Sequence, residues 1–84
     1  MFLHINSVRY LEGYRLEVQF SDSVIKEVDL EKELYGPVFE PLKSIEAFRQ
    51  AYLDEETRTV AWPGGADLAP EFLYEKGKTI RQAA

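Results

Sequence analysis

Between residues 14 and 20 the chain alternates, with Tyr14, Leu16, Val18 and Phe20 interleaved with Arg15, Glu17 and Gln19. A period of two sends every second side chain to the same side of an extended backbone, so this run predicts a strand with one apolar and one charged face. The apolar face has to be buried against a second layer, which restricts the chain to folds that cover one side of a sheet.

The flanking sequence extends that sheet. Leu3, Ile5, Val8 and Tyr10 predict an earlier strand, and Glu12-Gly13 supplies a tight turn whose type the residues leave open. After Ser21-Asp22-Ser23, residues 24–28 predict a third strand, with Lys26 interrupting its apolar face. Three strands joined by short turns form an antiparallel meander.

Beyond this point the pattern turns helical. Asp29 is placed to accept hydrogen bonds from the free N–H groups of a short helix over residues 30–35, with Leu30 and Leu34 on one face. Gly36 suits the position after the helix, and Pro37 prevents its continuation. Residues 38–42 predict an irregular turn that packs Phe39. Ser44 is a candidate cap for a second short helix, with Ile45 and Phe48 facing inward. Residues 51–54 and 58–62 then predict a hairpin across Glu55-Glu56-Thr57. Pro70 opens a last helix that buries Leu73 and ends at Gly77.

This order predicts an α+β fold: an antiparallel sheet, made of a three-stranded meander plus a C-terminal hairpin, with two or three short helices packed on one face. Residues 1–77 are expected to form a single domain and residues 78–84 a frayed tail. A chain of 84 residues holds one core, and its 45% hydrophobic and 30% charged content is that of a globular protein.

Composition narrows the chemistry. With no cysteine, disulfides, thiolate metal sites and a cysteine nucleophile are ruled out. The first residues lack the basic and apolar regions of a signal peptide, and no apolar run approaches the ~20 residues needed to span a bilayer. The expectation is a cytoplasmic protein that makes no membrane contact. Formal net charge is −5, and Lys and Arg residues are scattered singly except for a cluster from Lys76 to Arg81. Duplex binding requires several cations on one face, so the charge predicts no nucleic-acid binding by the isolated domain.

No arrangement of residues points to catalysis. His4 is the only histidine, and on its strand it alternates with Leu3 and Ile5, so a two-histidine metal site cannot form. Asp54-Glu55-Glu56 lacks both the ligand spacing and the turn glycine of a calcium loop and reads as a solvated hairpin loop. Gly64-Gly65 precedes a helix but has neither a following Lys-Ser/Thr nor a βαβ context, and Asp67 would repel an anion there. No catalytic residue, cofactor or metal is expected.

Residues 62–71, Trp-Pro-Gly-Gly-Ala-Asp-Leu-Ala-Pro-Glu, are the least generic stretch. They contain the only Trp, two prolines that fix φ and two glycines that permit positive φ. Two readings stand. In one, the segment is a rigid connector, with Trp62 roofing the core and Asp67 bonding backbone N–H groups. In the other, Trp62, Gly64, Gly65, Asp67, Glu71 and Tyr74 present a preorganised surface to a partner.

This block, together with Phe20-Ser21-Asp22, Asp29-Leu30, Val38-Phe39-Glu40-Pro41-Leu42, Phe48 and the following Phe72-Leu73-Tyr74, resembles the bacterial domain of unknown function 2442 across residues 8–74. The resemblance implies a small α+β domain with no established activity. Some relatives are fused to a helix-turn-helix, and others are similar to one half of a two-gene toxin–antitoxin-type pair. Ser23 departs from the pattern, since the family usually has glycine in that turn. The resulting expectation is a non-enzymatic interaction or regulatory module with a small protein partner. The alternatives are a homo-oligomeric scaffold and, more remotely, a small-molecule enzyme.

Overall fold

The computed structural model describes residues 3–82. The meander is present as β1 (Ile5–Glu12), β2 (Arg15–Phe20) and β3 (Val24–Asp29). β1 and β2 are joined through Gly13-Tyr14, with Glu12 opposite Arg15 and Gly13 at φ 55°. The turn into β3 places Ser23 at φ 73°, a left-handed conformation that costs a side chain with a Cβ about 1–2 kcal/mol. Asp22 supports this turn by accepting the Val24 N–H at 3.0 Å.

The alternation works as expected. Leu16, Val18 and Phe20 are fully buried, while Arg15, Glu17 and Gln19 occupy the opposite face. The core also includes Ile5, Val28, Leu30, Phe48, Val60, Trp62 and Leu73. Phe48 is its aromatic hub, edge-on to Tyr14 with ring centroids 5.3 Å apart and tilted against Trp62 at 5.6 Å.

The covering layer differs from the expectation in several places. The helix over residues 30–35 contracts to one 3₁₀ turn, Glu31–Glu33, although Leu30 and Leu34 are both buried. Asp29 accepts only the Glu31 N–H, at 3.0 Å, so it makes a local turn and not a helix cap. A second 3₁₀ turn, Glu40–Lys43, precedes α1 (Ile45–Phe48). Phe48 points inward as expected, but Ile45, at the first position of this single turn, is exposed.

The expected hairpin forms as β4 (Tyr52–Asp54) and β5 (Thr59–Ala61), a separate two-stranded sheet packed near the start of β1. The largest correction concerns the C-terminus. After α2 (Pro70–Lys76), Lys78–Gln82 forms β6, the antiparallel neighbour of β3. The main sheet therefore has four strands in the order β1-β2-β3-β6, and residues 78–82 are an edge strand instead of a frayed end. Residues 83 and 84 of the expected tail lie outside the described residues. Gly77 makes the return possible by close approach: a Cβ there would lie 2.9 Å from Lys26 Cβ and 3.0 Å from the Leu73 carbonyl oxygen. Among the described residues no helix is long and apolar enough to cross a membrane.

Candidate functional site

The first candidate is the segment over residues 62–71. Trp62 is buried, and its indole Nε1 donates to the Phe48 carbonyl at 2.8 Å. A reverse turn follows, in which the Gly65 N–H donates to the Trp62 carbonyl at 3.2 Å and the Trp62 N–H to the Ala66 carbonyl at 2.9 Å. Gly64 and Gly65 stand at φ 104° and 102°, a region that side chains with a Cβ rarely enter. The turn brings Asp67 back alongside Ala61 as an isolated bridge, and Thr59 Oγ1 donates to the Leu68 carbonyl at 2.6 Å. The backbone is thus stitched onto β5.

The Asp67 side chain does not have the role expected of it. It is exposed, and α2 begins without a side-chain cap, with Ala69 at ψ 143° outside the helix and Pro70 at its first position. Pro70 has no N–H to be capped, so the carboxylate has little to hold there. Glu71 is exposed in the first turn of α2. Tyr74 is only half-buried, and its polar groups are committed internally. Its hydroxyl donates to Asp22 Oδ2 at 2.6 Å, and its carbonyl accepts from Lys26 Nζ at 2.6 Å, with that ammonium 3.9 Å from the ring centroid. The Tyr74 hydroxyl, with help from the Val24 N–H, holds the Asp22 carboxyl below its ordinary pKa, and Asp22 raises that of the phenol. The six residues singled out in the sequence do not form one surface: Trp62 and Tyr74 hold the core and α2, while Gly64, Gly65, Asp67 and Glu71 face solvent.

The second candidate lies on the uncovered face of the main sheet. The register sets Arg9, Glu17, Glu27 and Lys78 side by side across all four strands. The neighbouring row aligns Ser7, Gln19, Ile25 and Arg81. Arg9 Nη2 lies 3.0 Å from Glu17 Oε1, and Arg81 Nη2 lies 3.6 Å from Glu17 Oε2, so one carboxylate tethers two guanidinium groups. Arg15 bridges Glu27 at 3.0 Å and also pairs with Glu12. Exposure separates the signs: the Arg9 and Arg81 side chains are 67% and 60% exposed, whereas Glu17 is 16% exposed beneath them.

At one end of this face a cleft of ≈ 400 Å³ is lined by Arg15, Glu27, Asp29, Lys76, Lys78 and Ile80. Its lining is almost wholly charged, unlike the mostly apolar walls of small-molecule sites. Lys76 is bound to Glu33 at 2.9 Å, an ion pair that raises its pKa. Among the described residues no group of three or more His, Asp or Glu side chains is placed to hold a metal ion.

A family model described as protein of unknown function (DUF2442) matches residues 5–79, from the first residue of β1 into β6. The chain belongs to the DUF2442 family. No curated protein matches the chain. A crystal structure from Nitrosomonas europaea, of a protein named provisionally as DNA-binding, superposes with a TM-score of 0.80 at 26% identity. The match covers 93% of the present chain and 50% of that one, so this DUF2442 chain spans about half the length of its relative.

That relative overturns the exclusion of nucleic acid. The exclusion rested on net charge, which is a sum over the whole surface, while a polyanion meets only the face it touches. In this DUF2442 chain the open face sets Arg9, Arg15, Lys78 and Arg81 against Glu17 and Glu27, a local charge of +2 that Glu12 and Asp29 at the strand ends bring to zero. The −5 of the chain is therefore carried by the remaining surface. The local signals in the sequence were the polar half of the β2 alternation and the cluster of Lys76, Lys78 and Arg81 near the C-terminus. Arg9 and Arg81 are 72 positions apart and meet only through strand pairing.

Proposed function

We propose that this chain is a non-enzymatic binding module of a DNA-associated regulatory protein. The observation that carries the reading is the superposition of 93% of the chain on half of a Nitrosomonas europaea protein named provisionally as DNA-binding. Two features of the molecule agree with it. Arg9, Glu17, Arg15, Glu27, Asp22 and Tyr74 are engaged in ion pairs and hydrogen bonds within the fold, and the cleft is lined by charge where a substrate pocket would be apolar. In this reading the Trp62 turn is scaffold and the open sheet face is the working surface. The two-gene pairing implied by the family resemblance would add a small protein as a further partner.

The test is retention of the purified chain on immobilised duplex DNA at about 20–50 mM salt, followed by elution on a salt gradient. Retention that is lost as salt rises supports the reading. Passage through the column unretained at the lowest salt contradicts it.

A further inference from the structure

We propose that the open face of the four-stranded sheet is a phosphate-backbone docking surface, centred on the Arg9–Glu17–Arg81 cluster. This rests on the DNA-associated reading above and names the surface that would serve it. The argument begins with layering. Glu17, the most buried of the three, accepts a hydrogen bond from Arg9 on β1 and forms a looser ion pair with Arg81 on β6, the two arginines approaching it from opposite sides of β2. A guanidinium group carries five N–H donors, so one bond to a carboxylate fixes its orientation and leaves most donors available. An approaching anion therefore meets two oriented guanidinium groups, and the carboxylate lies behind them. Holding the arginines in place beforehand removes part of the ordering cost of binding.

Geometry supports an extended polyanion over a point anion. Strands in a sheet lie ~4.8 Å apart, so Arg9 and Lys78, in the same row on the two edge strands, are separated by roughly 14 Å. Arg81 falls in the adjacent row, one pleat period along, opposite Ile25, which is buried although it lies on this face. The exposed cations thus form a band across the sheet, with Arg81 in the row farthest from Glu12 and Asp29 and Lys78 bordering the cleft that Asp29 also lines. Phosphates follow every ~3.4 Å of axis along one nucleic-acid strand, so a band of this length meets several of them, and neutralising them releases counterions. Of the other carboxylates on this face, Glu27 is paired with Arg15 at 3.0 Å, an arginine that Glu12 shares.

The experiment is fluorescence anisotropy of a labelled duplex titrated with the full chain, with circular dichroism as the fold control. Three proteins are compared: the parent, Arg9→Ala/Arg81→Ala, and Lys32→Ala/Arg58→Ala, which removes two cations from elsewhere. The open-face double variant should weaken binding at least ~10-fold at low salt and reduce the slope of log K against log salt by about 2, one unit per lost phosphate contact. The control double variant should bind within about twofold of the parent. Equal losses in both variants, or no loss in the open-face variant while the parent binds, overturn the docking surface and leave the DNA-associated reading standing. A parent that ignores the duplex overturns both. A parent that ignores the duplex yet binds an acidic peptide through Arg9 and Arg81 also overturns the nucleic-acid assignment, in favour of a protein partner.

Discussion

The hydroxyl of Tyr74 donates a 2.6 Å hydrogen bond to Asp22 Oδ2, linking α2 to the β2–β3 turn across 52 positions of sequence. From the same residue the backbone carbonyl accepts from Lys26 Nζ at 2.6 Å, so α2 is held to β3 at two points. Both contacts anchor the helix from which β6 returns to pair with β3.

Its pH dependence follows from the two shifts. Asp22 is held below its ordinary value by the Tyr74 hydroxyl, so its stabilisation is present above the unfolded carboxylate pKa of about 3.9 and is lost as pH falls through the lower folded value. Tyr74 is raised by Asp22, so its share is present below about 10 and is lost as pH rises through the higher folded value. Tyr74→Phe should therefore melt below the parent by a constant margin from about pH 5 to 9, and the margin should shrink as pH falls below the ordinary carboxylate value of about 3.9. A margin that persists unchanged into acid would show that the charge on Asp22 adds nothing to the hydrogen bond.

Ser23 at φ 73° stores strain that glycine would release. Relief of about 1–2 kcal/mol, less the extra unfolded-state entropy of glycine, leaves a net gain of roughly 0.5–1 kcal/mol for Ser23→Gly. Thermal unfolding should shift upward by ~2–8 °C. A lower melting temperature would mean that the serine side chain contributes more than its backbone costs.

Gly77→Ala should destabilise. The added methyl would sit 2.9 Å from Lys26 Cβ and 3.0 Å from the Leu73 carbonyl, with little room to yield between helix and strand. A cost of about 1–3 kcal/mol in urea unfolding is expected, with earlier proteolysis near β6. Unfolding that matches the parent in midpoint and slope would place the strand return elsewhere.

The Trp62 segment separates in the same way. Trp62→Phe keeps a ring in the core but strands the Phe48 carbonyl that accepts the indole N–H at 2.8 Å, a loss of about 1–3 kcal/mol. Asp67→Ala, at an exposed side chain outside the α2 cap, should stay within about 0.5 kcal/mol of the parent. Chemical denaturation of the two variants checks both values, and a large loss at Asp67 would restore the bonding of backbone N–H groups first expected of it.

The sheet was readable wherever one strand carried its own pattern. The alternation over β2 fixed both its type and its inward face, and the turn residues around Gly13 and Ser23 marked the meander. β6 was missed because Lys78-Thr79-Ile80-Arg81-Gln82 has a single apolar residue and no alternation; pairing with β3 makes it a strand. The helix over residues 30–35 was over-read for the converse reason. Leu30 and Leu34 share the spacing of a helical face, yet both are buried from an irregular turn. The Trp62 turn was recognisable because Pro and Gly act locally. The Arg9–Glu17–Arg81 cluster was not, because it combines three strands and its last member lay in the segment read as a tail.

The most direct test of where this molecule binds is an NMR titration of the ¹⁵N-labelled chain with unlabelled duplex DNA. The account predicts chemical-shift changes in the backbone and guanidinium signals of Arg9 and Arg81 and in the amides of Ser7 and Gln19, with the signals of Gly64, Gly65 and Asp67 unmoved. Changes confined to Gly64, Gly65 and Asp67, with Arg9 and Arg81 unaffected, would contradict it and make the loop after Trp62 the binding surface.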